Sequence, residues 1–167
     1  MNPFYRHRQV SVPALVSGVV LGTPFAAALL YLLVLVREPG LPKLLYAGPL
    51  IGVLLLVIAI HGAVSSLTIE VGADELRWHF GPGVWRKSVP FASIARVDRV
   101  RLPWWYGIGI KYIPGGWVYL VAPGHGIEIV TADGRIARLG TDDPDGLADA
   151  LACARQSPSL RTARRAQ

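Results

Sequence analysis

Residues 44–80, LLYAGPLIGVLLLVIAIHGAVSSLTIEVGADELRWHF, carry the transition that decides the fold. From Leu44 to Val64 the chain is almost continuously apolar and holds no charge. From Leu67 the texture becomes alternation: LTIEV, a Gly72-Ala73-Asp74 turn, then ELRWHF, with Leu76, Trp78 and Phe80 on one face and Arg77 and His79 on the other. About 20 apolar residues suffice for a helix to cross the hydrocarbon core, whereas a period of two marks a half-buried strand. The stretch therefore reads as a membrane span that feeds directly into a β domain.

Upstream lies a second span. Between Arg8 and Arg37 are 28 residues without a charge, and between Lys43 and Glu70 are 26 more. The spans are expected at 12–36 and 44–64. The first is too long and evenly apolar for a signal peptide, and no small-x-small cleavage site follows it. Pro24 is expected to bend it, a feature a bilayer tolerates when neighbouring groups satisfy the freed carbonyl. The connection Arg37–Lys43, REPGLPK, is so short that it forces an antiparallel hairpin with both flanks on one side. Arg6 and Arg8, without an acid, join the 13 basic residues after Ser66 against Arg37 and Lys43 beside Glu38. That balance predicts a multi-pass plasma-membrane protein with both termini in the cytoplasm.

Small residues recur at four-residue spacing: Gly18, Gly22 and Ala26 in one span, Gly48 and Gly52 in the other. Such seams let helices approach closely. The simpler reading is that the two spans pack on each other; the alternative is a dimer face. His61, the sole titratable group inside a span, lies about one turn from its end. It has no acidic partner for a proton relay, which argues against a transporter or channel.

Downstream, turn signals arrive every eight to twelve residues, the signature of a small β-rich domain. After Gly81-Pro82-Gly83, strands are expected at Val84–Val89, Ala95–Leu102, Gly107–Tyr112, Trp117–Val121, Ile127–Thr131 and Ile136–Leu139, with a short turn at Phe91–Ile94. Asp133-Gly134 is a hairpin signal. Thr141-Asp142-Asp143-Pro144 supplies a capping oxygen and a proline for the first helical position, and Leu147, Ala150, Leu151 and Ala154 form an apolar helical face. The aspartates lack the alternating spacing and distal Glu of a calcium loop.

The chain thus divides into a basic N-terminal arm (1–11), a two-helix transmembrane hairpin (12–64), a β domain (66–156) ending in a helix over 143–155, and a basic tail (157–167) expected to be disordered. The fold class is a membrane α-hairpin followed by a mainly-β domain of about seven antiparallel strands, in a barrel or bent sheet capped by one C-terminal helix.

At this point a resemblance is carried by Trp105-Tyr106-Gly107-Ile108-Gly109-Ile110, Gly115-Gly116-Trp117-Val118-Tyr119, the strand–turn–strand ending at Arg138, and Gly140-Thr141-Asp142-Asp143-Pro144-Asp145-Gly146-Leu147. From Leu67 to Arg155 the chain resembles the bacterial pleckstrin-homology-like (PH-like) domain family, in particular its small membrane-anchored members with two spans ahead of the domain. The resemblance implies a seven-stranded barrel capped by a helix, no catalysis, and a role as adaptor, scaffold or oligomerisation module. Arg86 and Lys87 lie near the place where eukaryotic relatives carry lipid-binding cations, but no basic loop motif accompanies them.

Composition narrows the function. Of 167 residues, 52% are apolar and 17% charged, against about 25% charged in a soluble domain, which excludes a purely soluble enzyme. The lone Cys153, among alanines, forms no internal disulfide and reads as a small buried hydrophobe. His7, His61, His79 and His125 show no metal-like spacing. Gly107-x-Gly109 lacks the third glycine of a dinucleotide fingerprint, and no serine has the flanking glycines of a nucleophile elbow. Hence no enzyme, cofactor or metal is expected. Residues 66–156 hold ten basic and ten acidic residues, so the net charge of +6 comes from the flanks. That reads as topology and lipid attraction, not as a nucleic-acid footprint.

One surface stands out. Trp104, Trp105 and Tyr106 follow Arg96, Arg99 and Arg101, and with Arg86 and Lys87 they form the candidate membrane or partner surface. Interfacial aromatics and cations suit anionic headgroups; the plainer reading has these aromatics filling the domain core or its rim. Two functions follow: an interaction module that binds a protein partner or self-associates, or a regulator that binds lipid headgroups or a small ligand. Cations clustered at the membrane-proximal rim favour the second; cations dispersed or held in ion pairs favour the first.

Overall fold

The computed structural model describes residues 4–34 and 41–156; the hairpin connection at 35–40, the side chains of 41–44 and the tail at 157–167 lie outside the described residues. The element order is β1 (Tyr5–Val10), α1 (Val12–Val34), α2 (Leu41–Val64), β2 (Ser66–Val71), β3 (Glu75–Phe80), β4 (Val84–Pro90), β5 (Ile94–Leu102), β6 (Gly109–Ile113), β7 (Gly116–Leu120), β8 (Gly124–Thr131), β9 (Ile136–Gly140) and α3 (Pro144–Gln156). Short 3-10 turns lie at Phe91–Ser93 and Trp104–Tyr106.

The helices α1 and α2 are each long and apolar enough to cross a membrane, and only 6% of either window is buried. They pack antiparallel. Gly18 lies against the His61 ring, where an added Cβ would sit 3.0 Å from its Cγ, and Gly22 faces Leu54 and Val57. So one small-residue seam forms the hairpin contact, as the simpler reading has it. The other does not: a Cβ at Gly48 or Gly52 would meet nothing within 4 Å. The helix α1 runs unbroken through Pro24, and α2 starts at Leu41, three residues ahead of the expected boundary. Pro42 falls in the first turn of α2, where its missing N–H costs no helical bond.

The largest departure from expectation is the N-terminal arm. It is a strand, and β1 pairs antiparallel with β2 in the register Val10↔Ser66 to Tyr5↔Val71. In YRHRQV, Tyr5, His7 and Gln9 turn toward the domain while Arg6, Arg8 and Val10 are exposed. This pairing brings the chain on either side of the helical hairpin into one sheet. Ser11 N–H donates to Ser65 O at 2.6 Å, and the buried Ser11 hydroxyl accepts from Ala14 N–H at 3.2 Å. Ser11 thereby caps α1 where it leaves the sheet.

Nine strands among the described residues make two sheets, β1-β2-β3-β4 and β5-β8-β9-β7-β6, in place of about seven in a barrel or single bent sheet. The sheets do not close into a barrel: the edge strands β1, β4, β5 and β6 each pair on one side only. One pairing is parallel, β7 with β9; the antiparallel expectation fails there because β8 inserts between β5 and β9, sending β9 back alongside β7.

The core lies between the sheets and under α3. Leu67, Ile69 and Val71 of β2, Leu76, Trp78 and Phe80 of β3, and Ile127 and Ile129 of β8 are buried. The expected facing of β3 is observed, with Arg77 exposed. Each such side chain contributes about 1.5–3 kcal/mol by leaving water. Leu147, Leu151 and Ala154 close the core from α3. That helical period turns Cys153 outward, so the cysteine is exposed, contrary to expectation. Asp143 is the cap: its Oδ1 accepts from Gly146 N–H at 2.9 Å, its backbone N–H donates to the Thr141 hydroxyl at 3.1 Å, and Pro144 opens the helix.

Candidate interaction surface and inter-sheet groove

The helix-proximal end of the domain is defined by three adjacencies. Only Ser11 separates β1 from α1, and only Ser65 separates α2 from β2. The β3–β4 turn lies against the end of α2, since a Cβ at Gly81 would fall 2.8 Å from the carbonyl oxygens of Gly62 and Ala63. From there β1 rises five residues to Tyr5, about 17 Å at a strand's rise.

The aromatic loop follows β5, next to the segment that leads into α3. The Tyr5 hydroxyl donates to Asp143 Oδ2 at 2.8 Å. Thr141 N–H donates to His125 O at 3.0 Å, and His125 lies across from Arg101 in the β5–β8 register. Trp104, Trp105 and Tyr106 extend from that strand end. Tyr106 packs on a small second cluster of Leu102, Val118 and Leu120 and fixes the loop. Trp104 and Trp105 are 75% and 68% exposed and meet edge to face with centroids 6.1 Å apart. The core reading therefore holds in part for Tyr106 and is overturned for both tryptophans: the sheet face beneath the loop is already filled by Leu102, Val118 and Leu120.

The candidate cations do not gather at one rim. Arg96 Nε lies 2.6 Å from Asp98 Oδ2, with Glu128 at 3.7 Å. Arg99 Nε lies 2.7 Å from Asp145 Oδ1. Arg101 is exposed as the penultimate residue of β5, next to the tryptophan loop. Arg86 Nε donates to Gly83 O at 3.0 Å, stiffening the β3–β4 turn. Lys87 is exposed on β4 and has no acidic partner among the described residues. Thus Arg86 sits by the β3–β4 turn, Lys87 lies midway along β4 opposite Trp78, and Arg96, Arg99 and Arg101 lie on β5 of the other sheet.

An apolar groove of about 960 Å³ opens between the sheets, a site not foreseen from the sequence. Its walls are β4 on one side and β6, β7 and β9 on the other, with Trp85, Val89, Ile110, Trp117 and Ala137 among its lining. Val64, the last residue of α2, also lines it. Trp78, only 2% exposed, contributes to its floor, and its indole N–H has no acceptor among the described residues. Tyr119 stands beside Trp78 in an edge-to-face contact of 5.2 Å, and burial pushes its hydroxyl above the ordinary phenol range. The register of β3 with β4 slips between Trp78 and Phe80, and there Trp85 adopts φ +47°. That left-handed geometry costs a bulky residue about 1–2 kcal/mol and leaves the indole 58% exposed.

Among the described residues no three His, Cys, Asp or Glu converge as they would around a metal ion. Comparison of the chain with family models, with curated proteins and with solved structures finds no match.

Proposed function

We propose that the chain is a plasma-membrane protein whose α1–α2 hairpin anchors a PH-like β domain on the cytoplasmic face, where the domain serves as a non-catalytic interaction module. The observation that carries this reading is the exposed Trp104–Trp105 pair, on a loop that Tyr106 packs against the Leu102, Val118 and Leu120 cluster. Exposed tryptophans on a rigid support are the side chains that dominate protein interfaces. There they are offered to a protein partner or to a second copy.

The ion pairs of Arg96 and Arg99 favour the same reading over headgroup binding along β5, because a cation already paired has less to gain from a phosphate. The strand order followed by a helix over β2, β5 and β8 supports a PH-like assignment, although the parallel β7–β9 pair departs from an all-antiparallel barrel. Cytoplasmic orientation rests on the basic flanks.

The test is purification of the full chain from native membranes in mild detergent, followed by crosslinking and mass spectrometry. A stoichiometric partner, or a second copy, lost on Trp104→Ala plus Trp105→Ala is the expected result. Recovery of the chain alone, with anionic lipid retained and then lost on Arg96→Glu plus Arg99→Glu, would overturn it in favour of a headgroup-binding regulator.

A further inference from the structure

We propose that the inter-sheet groove takes one acyl chain of a membrane phospholipid, with Lys87 meeting the anionic headgroup. The inference rests on the membrane-anchor reading above. Its first support is continuity: Val64 belongs both to the last turn of α2 and to the groove wall. An apolar channel that begins where a spanning helix ends is open to the lipid phase without crossing water. A segment of soluble protein would have to reach the same mouth past the bilayer surface.

The walls have matching chemistry. Trp85, Val89, Ile110, Trp117 and Ala137 offer hydrocarbon and ring faces, suited to a flexible chain with no polar groups of its own. Trp85 is exposed beside the turn that packs on Gly62 and Ala63. On the membrane-anchor reading this places Trp85 near the boundary where tryptophan settles in a bilayer, with its ring in the acyl boundary and its N–H in the headgroup layer. Lys87, two residues on and without an acidic partner among the described residues, lines the same groove and supplies positive charge where a phosphate would lie.

The experiment uses the full chain in phosphatidylglycerol vesicles doped with phosphatidylglycerol carrying a diazirine on one acyl chain. After irradiation, adducts are mapped by mass spectrometry. The expected result is labelling of groove residues on β4 and β7 as well as of α1 and α2. Ala137→Trp, which fills the groove, should abolish the groove adducts while those on α1 and α2 persist. Lys87→Glu provides a second arm, independent of whether the tryptophan variant folds: groove labelling should fall for this anionic probe and hold for its phosphatidylcholine counterpart. Adducts confined to α1 and α2 overturn the groove proposal and leave the membrane anchor standing. Absence of adducts on α1 and α2 instead removes the anchor itself. A benzoylphenylalanine placed at Val89 in native membranes separates the remaining occupants: a lipid adduct supports the proposal, and a crosslink to a second copy or another protein overturns it.

Discussion

Tyr5 and Asp143 are 138 residues apart in sequence and joined by a 2.8 Å hydrogen bond from the phenol to Oδ2. The bond links the first strand, ahead of the two apolar helices, to the cap of the last helix. His7, two residues along β1, meets Asp142 in the same way. The N-terminal strand is therefore clamped at both ends, by Ser11 against Ser65 and by Tyr5 against Asp143.

Removing the clamp should loosen α3. Tyr5→Phe is expected to destabilise the domain by about 1 kcal/mol, the net worth of one hydrogen bond. Amide exchange at Gly146 and Leu147 should accelerate, while amides in β8 change little. Arg6→Ala, which removes an ion pair with Glu70 whose arginine is 63% exposed, should cost less than about 0.5 kcal/mol. Equal losses for the two variants would show that the clamp does not hold the helix.

The same bond sets a pH window. The hydrogen bond from Tyr5, and then the Gly146 N–H, hold the Asp143 carboxyl below its usual range. A depressed carboxylate stabilises the fold above its unfolded pKa and ceases to do so as pH falls through the folded value. Burial first, and then the Asp143 bond, raise the Tyr5 hydroxyl well above the ordinary phenol range. A raised phenol stabilises below its unfolded pKa, about 10, and that contribution is lost as pH rises beyond it. The melting-temperature gap between wild type and Tyr5→Phe should thus be widest from about pH 5 to 9 and narrow as pH falls below the usual carboxylate range, about 4, through the depressed folded value. A gap independent of pH would refute the assignment.

The seat of the β domain on the helices depends on Gly81. Its φ is +49°, and a Cβ there would strike the Gly62 and Ala63 carbonyls. Gly134 has φ +81° but open space around it. Gly134→Ala should cost about 1 kcal/mol from backbone geometry alone, and Gly81→Ala should cost more, by chemical unfolding in detergent. Parity between the two would mean that the turn does not bear on α2.

Arg138 and Glu128 form the least exposed ion pair of the domain among the described residues, at 2.8 Å and with side chains 17% and 13% exposed. Glu128→Ala leaves that arginine half-buried without its carboxylate and should cost about 3 kcal/mol. Arg96→Ala, on the exposed side of the same carboxylate, should cost less than about 1 kcal/mol. A mild Glu128 variant would show that water replaces the carboxylate.

Trp104→Ala and Trp105→Ala should leave the melting temperature nearly unchanged, within about 0.5 kcal/mol, as exposed sites do. Leu102→Ala beneath the loop should cost about 2–5 kcal/mol. A large loss from either tryptophan would return it to a structural role.

The sequence by itself determined what local periodicity encodes: two charge-free spans, the facing of β3, the Asp133-Gly134 hairpin and the cap at Asp143. Each of these depends on residues within a turn or two of one another. The tertiary structure alone decided the rest. The strand at Tyr5–Val10 has alternation over only six residues, and its partner lies beyond two long apolar helices, so nothing local marks it as paired. Trp104 and Trp105 are apolar and sequence assigns them a core as readily as a surface; Leu102, Val118 and Leu120 occupy that core first. The groove exists because β4 and β6 stop short of pairing with each other, and that choice belongs to the packing of two sheets rather than to any one strand.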